Sequence, residues 1–93
     1  MEKVIDKAKL DEAIRLNKKY FRTGDMDICR EMHRAESEAF KKDSYWMSDI
    51  LSGLTLKDHN YAEPYATYYK VFEALGYEIK EERRENNVQE SNS

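Results

Sequence analysis

The chain has 93 residues, 40% of them apolar and 38% charged, with a net charge of −3 and a pI of about 5.4. That is enough for one domain whose core buries only about 60–65% of the unfolded surface, and it matches a soluble, charge-covered helical bundle. No run approaches the ~18 apolar residues of a membrane span, and the acidic balance counts mildly against nucleic acid, whose affinity rests on phosphate neutralisation.

Three glycines and one proline leave few breaks, so long helices with sparse punctuation are expected. The first helix is expected at about Asp6 to Phe21. Leu10, Ala13, Ile14, Asn17 and Phe21 share one face at helical spacing. Arg15, Lys18, Lys19 and Arg22 load its last turns, where positive charge complements the helix dipole. Thr23 and Gly24 end it, glycine being free to take the left-handed cap conformation. Asp25 or Asp27 can cap the second helix, whose stripe is Ile28, Met32, Ala35 and Ala39, with Cys29, Glu36 and Phe40 beside it. Lys41, Lys42 and Asp43 read as a turn or kink.

Ser44 is then a candidate cap for a short third helix carrying Met47, Ile50, Leu51 and Leu54, which Gly53 stops. Residues 55–60 (TLKDHN) read as a polar loop, with room for one helical turn. Asn60 and Glu63 have capping-box spacing ahead of a fourth helix, with Pro64 in its first turn. On that helix Tyr61, Tyr65, Tyr68, Phe72 and Leu75 form one stripe, Gly76 is the cap, and Tyr77 folds back after it. Tyr69 points elsewhere, toward the surface. Ile79 adds a short extended contact. No strand signal stands out. The reading is therefore an all-α, compact four-helix domain over residues 1–79, followed by a disordered charged tail over residues 80–93.

The third and fourth helices together resemble the C-terminal half of a lambda-repressor-like helix-turn-helix domain. Ser48, Ile50, Leu51 and Gly53 match the Ser-x-Ile-Leu-x-Gly pattern in which that family's recognition helix often ends. Pro64, Thr67, Lys70, Val71, Ala74, Leu75 and Gly76 match the helix that often follows it. The likeness covers roughly residues 44–79. It departs from the family in the ten residues from Leu54 to Glu63 and in the sequence before Ser44. It implies a small DNA-binding regulator of mobile-element type, expected as a homodimer because a single module this size reads few base pairs. Double-stranded DNA would then meet Ser44, Tyr45 and Ser48 on the recognition helix, and Lys41 and Lys42 would meet phosphates at its entry.

The aromatic residues support a different class of function. Tyr20, Tyr45, Tyr61, Tyr69 and Trp46 are more aromatics than a small core absorbs, and exposed aromatics favour protein interfaces. The alternative is thus a non-enzymatic adaptor or inhibitor docking on a larger protein through Tyr45, Trp46, Tyr61 and Tyr69.

Cys29, His33 and Glu36 fall on one face of the second helix, a ligand set zinc accepts, yet His59, the remaining histidine, is distant in sequence. A structural cysteine beside an exposed histidine is the expected reading, with no metal site. There is no glycine-rich phosphate loop and no serine set beside a base, so neither catalysis nor a cofactor is expected. One cysteine and an N-terminus without an apolar leader region point to a cytoplasmic setting.

Overall fold

A computed structural model describes residues 3–81. The elements in order are β1 (Val4–Asp6), α1 (Lys7–Thr23), α2 (Met26–Phe40), a 3₁₀ turn (Lys41–Asp43), α3 (Ser44–Lys57), α4 (Tyr65–Ala74) and β2 (Glu78–Lys80). Most described residues are helical. None of these helices is long and apolar enough to cross a membrane.

Local chemistry accounts for the helix ends. The Asp6 carboxylate accepts from the Lys9 amide and caps α1, while Gly24 closes it at φ +70 with its N–H on the Tyr20 carbonyl. The Asp25 carboxylate accepts from the Asp27 amide and caps α2. After α4, Gly76 adopts φ +98, and two amides fold back. Gly76 N–H donates to Glu73 O and Tyr77 N–H to Phe72 O, the reciprocal pair that glycine permits at a helix end. Tyr77 is thereby returned to the core, as its position after the glycine suggests.

The core is built from Leu10, Ala13 and Ile14 of α1, Ala39 and Phe40 of α2, Met47 and Leu51 of α3, and Tyr68 and Phe72 of α4. Phe40 and Phe72 meet with ring centroids 5.5 Å apart in a tilted arrangement.

Several expectations are corrected. The fold is not purely helical, because β1 and β2 pair in parallel with Ile5 opposite Ile79. Ile5 is fully buried and Ile79 packs against the core. The strands are three residues each and offer one inward side chain apiece, too little for a period-two pattern to register. Lys80 lies in β2, so chain order extends past the expected boundary at residue 79. The rest of the tail reading, from residue 82 on, lies outside the described residues.

Gly53 does not stop α3, which runs on to Lys57. The reason lies in the next turn. Thr55 is buried, its hydroxyl bonded to the Leu51 carbonyl (3.1 Å) and to the Tyr68 hydroxyl (2.9 Å), so α4 holds that turn in helical form. Gly53 itself lies inside the helix, exposed, with open space where a Cβ would be. It costs the helix about 1 kcal/mol relative to alanine.

Two capping expectations also fail. Ser44 makes no cap, because the chain enters α3 directly from the 3₁₀ turn, and the Asp43 carboxylate is taken by the Tyr77 hydroxyl at 2.6 Å. Asn60 and Glu63 form no capping box. Asp58 organises that loop instead, accepting from the Asn60 and Glu63 amides, and Pro64 occupies the N-cap position of α4. Leu75 finally lies outside the core despite its place in the stripe, because α4 ends there and the chain turns away.

Candidate functional site

The head of α3 gathers several of the residues singled out from sequence. Lys41 leaves α2 at φ +56 and ψ −127, a conformation that favours glycine. That turn places Lys41 and Lys42 outward beside the first turn of α3. Among the described residues neither has an ion-pair partner. Tyr45 projects almost fully into solvent, 90% exposed, and Trp46 beside it is 42% exposed. Trp46 rests against Tyr77 with ring centroids 6.1 Å apart. Tyr77 is in turn fixed by its hydroxyl on Asp43 and by Lys3, whose ammonium lies 5.1 Å from the ring centre. Burial and then donation to Asp43 push the Tyr77 phenol up to about 12. It therefore stays a neutral donor through the physiological range.

A groove of about 610 Å³ opens beside this end of the molecule. Ile5, Phe40 and Tyr77 supply apolar lining. Lys9, Lys41, Lys42 and Lys80 are offset by Asp6, Glu38, Asp43 and Glu81. Four cations against four carboxylates make the groove polar and close to neutral. Lys9, Lys80 and Tyr77 drew no functional notice in the sequence, because only the parallel pairing of β1 with β2 brings residues 77–81 beside α2.

The remaining candidate residues are distributed differently. Ser48 does not face solvent as a base-reading residue would. It is half-buried, and its hydroxyl donates to Glu36 Oε1 at 2.7 Å. Tyr61 and Tyr69 each contact α1. The Tyr61 carbonyl is held by Lys18 Nζ and the Tyr69 hydroxyl donates to Asp11, both partners being on α1. Lys18 is twelve residues beyond Asp6, or about 18 Å along the helix. Of the four aromatics expected to make one interface, Tyr45 and Trp46 are exposed, whereas Tyr61 and Tyr69 are half-buried with partners on α1.

Beneath the α3 head is a polar cluster that links three helices. Glu36 is almost fully buried. Besides Ser48, its carboxylate takes Asn17 Nδ2 at 3.4 Å and has His33 Nδ1 at 3.4 Å. Asn17 Nδ2 also lies 3.1 Å from Ser52 Oγ, whereas Asn17 Oδ1 has no partner among the described residues. Cys29 is half-buried and outside this cluster's hydrogen bonds. Among the described residues no three His, Cys, Asp or Glu side chains are placed to hold a metal ion.

Burial raises the Glu36 carboxyl above its ordinary range, against the opposing pull of Ser48, His33 and Asn17. A folded-state value above the unfolded one gives stability that is present at low pH and lost as pH rises through the folded value. Glu36→Gln keeps an acceptor for Ser48 and removes the buried charge. At neutral pH it is expected to raise the melting temperature by about 5 °C, the shift that about 1 kcal/mol produces in a domain this size. The gain should shrink toward pH 4. Melting curves of both proteins from pH 4 to pH 8 check this, and a gain that is constant with pH would refute it.

Compared with protein-family models, curated proteins and solved structures, the chain shows no match.

Proposed function

We propose that this chain is a non-enzymatic protein-binding module, an adaptor or inhibitor that docks on a larger partner through Tyr45 and Trp46 at the head of α3. The exposure of two consecutive aromatics carries this reading, one of them braced from behind by Tyr77. A braced aromatic presents a large contact area and loses little rotamer freedom on binding, which is what interface hot spots require. The adjoining groove carries both charge signs, so the partner is expected to present a mixed polar surface rather than a uniformly charged one.

A second reading, a DNA-binding regulator with the helix-turn-helix resemblance described above, draws on the exposed Lys41 and Lys42 at the entry to α3. The outward ridge of α3 offers it little support. Tyr45, Asp49 and Gly53 are exposed there and no cation follows before Lys57, while Ser48 is turned toward Glu36.

One set of variants separates the two readings. Capture from cell extract should retain a protein partner with the wild type and lose it with Tyr45→Ala plus Trp46→Ala. With the purified partner, affinity should fall by at least about thirtyfold, the effect of losing about 2 kcal/mol at a hot spot. Lys41→Glu plus Lys42→Glu should change that affinity little. For DNA, anisotropy of a labelled duplex at about 50 mM and about 200 mM salt is the direct measurement. Steeply salt-dependent binding abolished by the lysine pair, with no partner lost on aromatic truncation, would replace the first reading by the second.

A further inference from the structure

We propose that α3 pairs antiparallel with α3 of a second copy of this chain, across a two-fold axis at Gly53. The inference does not rest on the protein-binding reading: the two surfaces share Tyr45, but Gly53, Asp49 and Lys57 carry this one, and Trp46 and the groove lie off the contact ridge.

The first observation is the glycine. Gly53 lies inside a fourteen-residue helix, one turn before its end, is exposed, and among the described residues has nothing within 4 Å of the Cβ it lacks. Its φ is not positive, so no turn requires it, and no neighbour among the described residues requires the missing side chain. A missing Cβ on an exposed helix face does allow another backbone to come close.

Charge supplies the second observation. Asp49 and Lys57 are the sole charged residues of α3. They have opposite signs, each lies four residues from Gly53, both are exposed, and among the described residues neither has an ion-pair partner. A two-fold axis at Gly53 therefore sets Asp49 of each copy against Lys57 of the other. The helix is its own charge complement in that register. Positions 45, 49, 53 and 57 also form a ridge with a spacing of four, and two such ridges interlock at a crossing of about 50°.

The third observation is what α3 leaves uncovered. Met47, Leu51 and Thr55 are buried inward, yet Leu56 on the outer side is 54% exposed and Tyr45 stands at the ridge end. A helix apolar on its outer side as well as its inner side is suited to cover from both sides. In the antiparallel pair, Leu56 flanks the crossing and Tyr45 reaches the partner's loop after α3.

The test is sedimentation equilibrium of the full chain from about 1 to about 500 μM, a range that resolves micromolar association. The wild type should show a monomer–dimer equilibrium. Asp49→Lys sets lysine against lysine twice and should weaken it by at least about tenfold. Adding Lys57→Asp should restore affinity to within about threefold of wild type, which a merely structural role for either residue would not do. Gly53→Leu should also abolish pairing, while circular dichroism confirms that each variant is folded. A wild type that stays monomeric throughout, or a charge reversal that the second substitution does not rescue, overturns the proposal.

Discussion

Phe72→Ala is expected to destabilise the domain by about 4 kcal/mol, the range found for emptying a buried aromatic site. Phe72 and Tyr68 are the two fully buried residues of α4, and Phe72 packs against Phe40 at the foot of α2. The chain that continues from α4 through Gly76 and Tyr77 also provides β2, so loosening α4 releases the strand pair and one wall of the groove. A domain of this length has about 5–10 kcal/mol of stability in total, and the loss should be plain as a lower urea midpoint. Leu75→Ala is the control. Leu75 belongs to the same helical stripe but is more than a third exposed, and its truncation should cost about 0.5 kcal/mol or less. Equal costs at the two positions would mean that α4 is not seated as described.

Lys18→Met should cost about 3 kcal/mol, the penalty for leaving buried charged and polar groups without their partner. Lys18 is buried, and its ammonium donates to the carbonyls of Tyr61 and Glu63. It sits 4.0 Å from Asp58 and faces the rings of Tyr65 and Tyr68 at 5.6 and 5.4 Å. Methionine keeps the stem and removes the charge, so the substitution isolates the ammonium. Asp58 is left with a buried carboxylate, and the loop it shapes loses its anchor to α1. Amide exchange should accelerate over residues 58–63 in particular, alongside the fall in global stability. Lys19→Met, one position on, should change stability by about 0.5 kcal/mol or less. Unchanged protection in the loop would show that Asp58 holds it without help.

The loop also shows how an apolar stripe can mislead about function. Seven tyrosines in a small acidic domain suggest a broad aromatic surface. In the structure each takes a different position. Tyr68 is core, with its hydroxyl on Thr55. Tyr77 is core, with its hydroxyl on Asp43. Tyr69 covers the side of α1 through Asp11 and Lys7. Tyr45 is the one left bare. A phenol can be buried wherever a partner meets its hydroxyl, and partners from other helices are invisible along the chain.

Short-range chemistry was readable without coordinates. Helix starts at Asp6 and Asp25 and stops at Gly24 and Gly76 depend on side chains and dihedrals within a few residues of each end. The same holds for Leu10, Ala13, Ile14 and Asn17 of α1 and for Met32 and Ala39 of α2, where a period of 3.6 marks one face, while the burial of Leu16 and Lys18 fell outside that reading. Long-range contacts decided the rest. Pairing of residues 4–6 with 78–80 joins segments more than seventy positions apart and has no local signature. Thr55 continues α3 past Gly53 because Tyr68 of another helix holds its hydroxyl. Glu36 looks like one more surface carboxylate until Asn17 and Ser48 enclose it from two other helices. Lys41 and Lys42 keep the turn expected of them, yet the groove beside them exists because β1 and β2 meet there. Local free energy differences of about 1 kcal/mol place the helices, and burial of side chains contributed by distant segments determines which faces remain open.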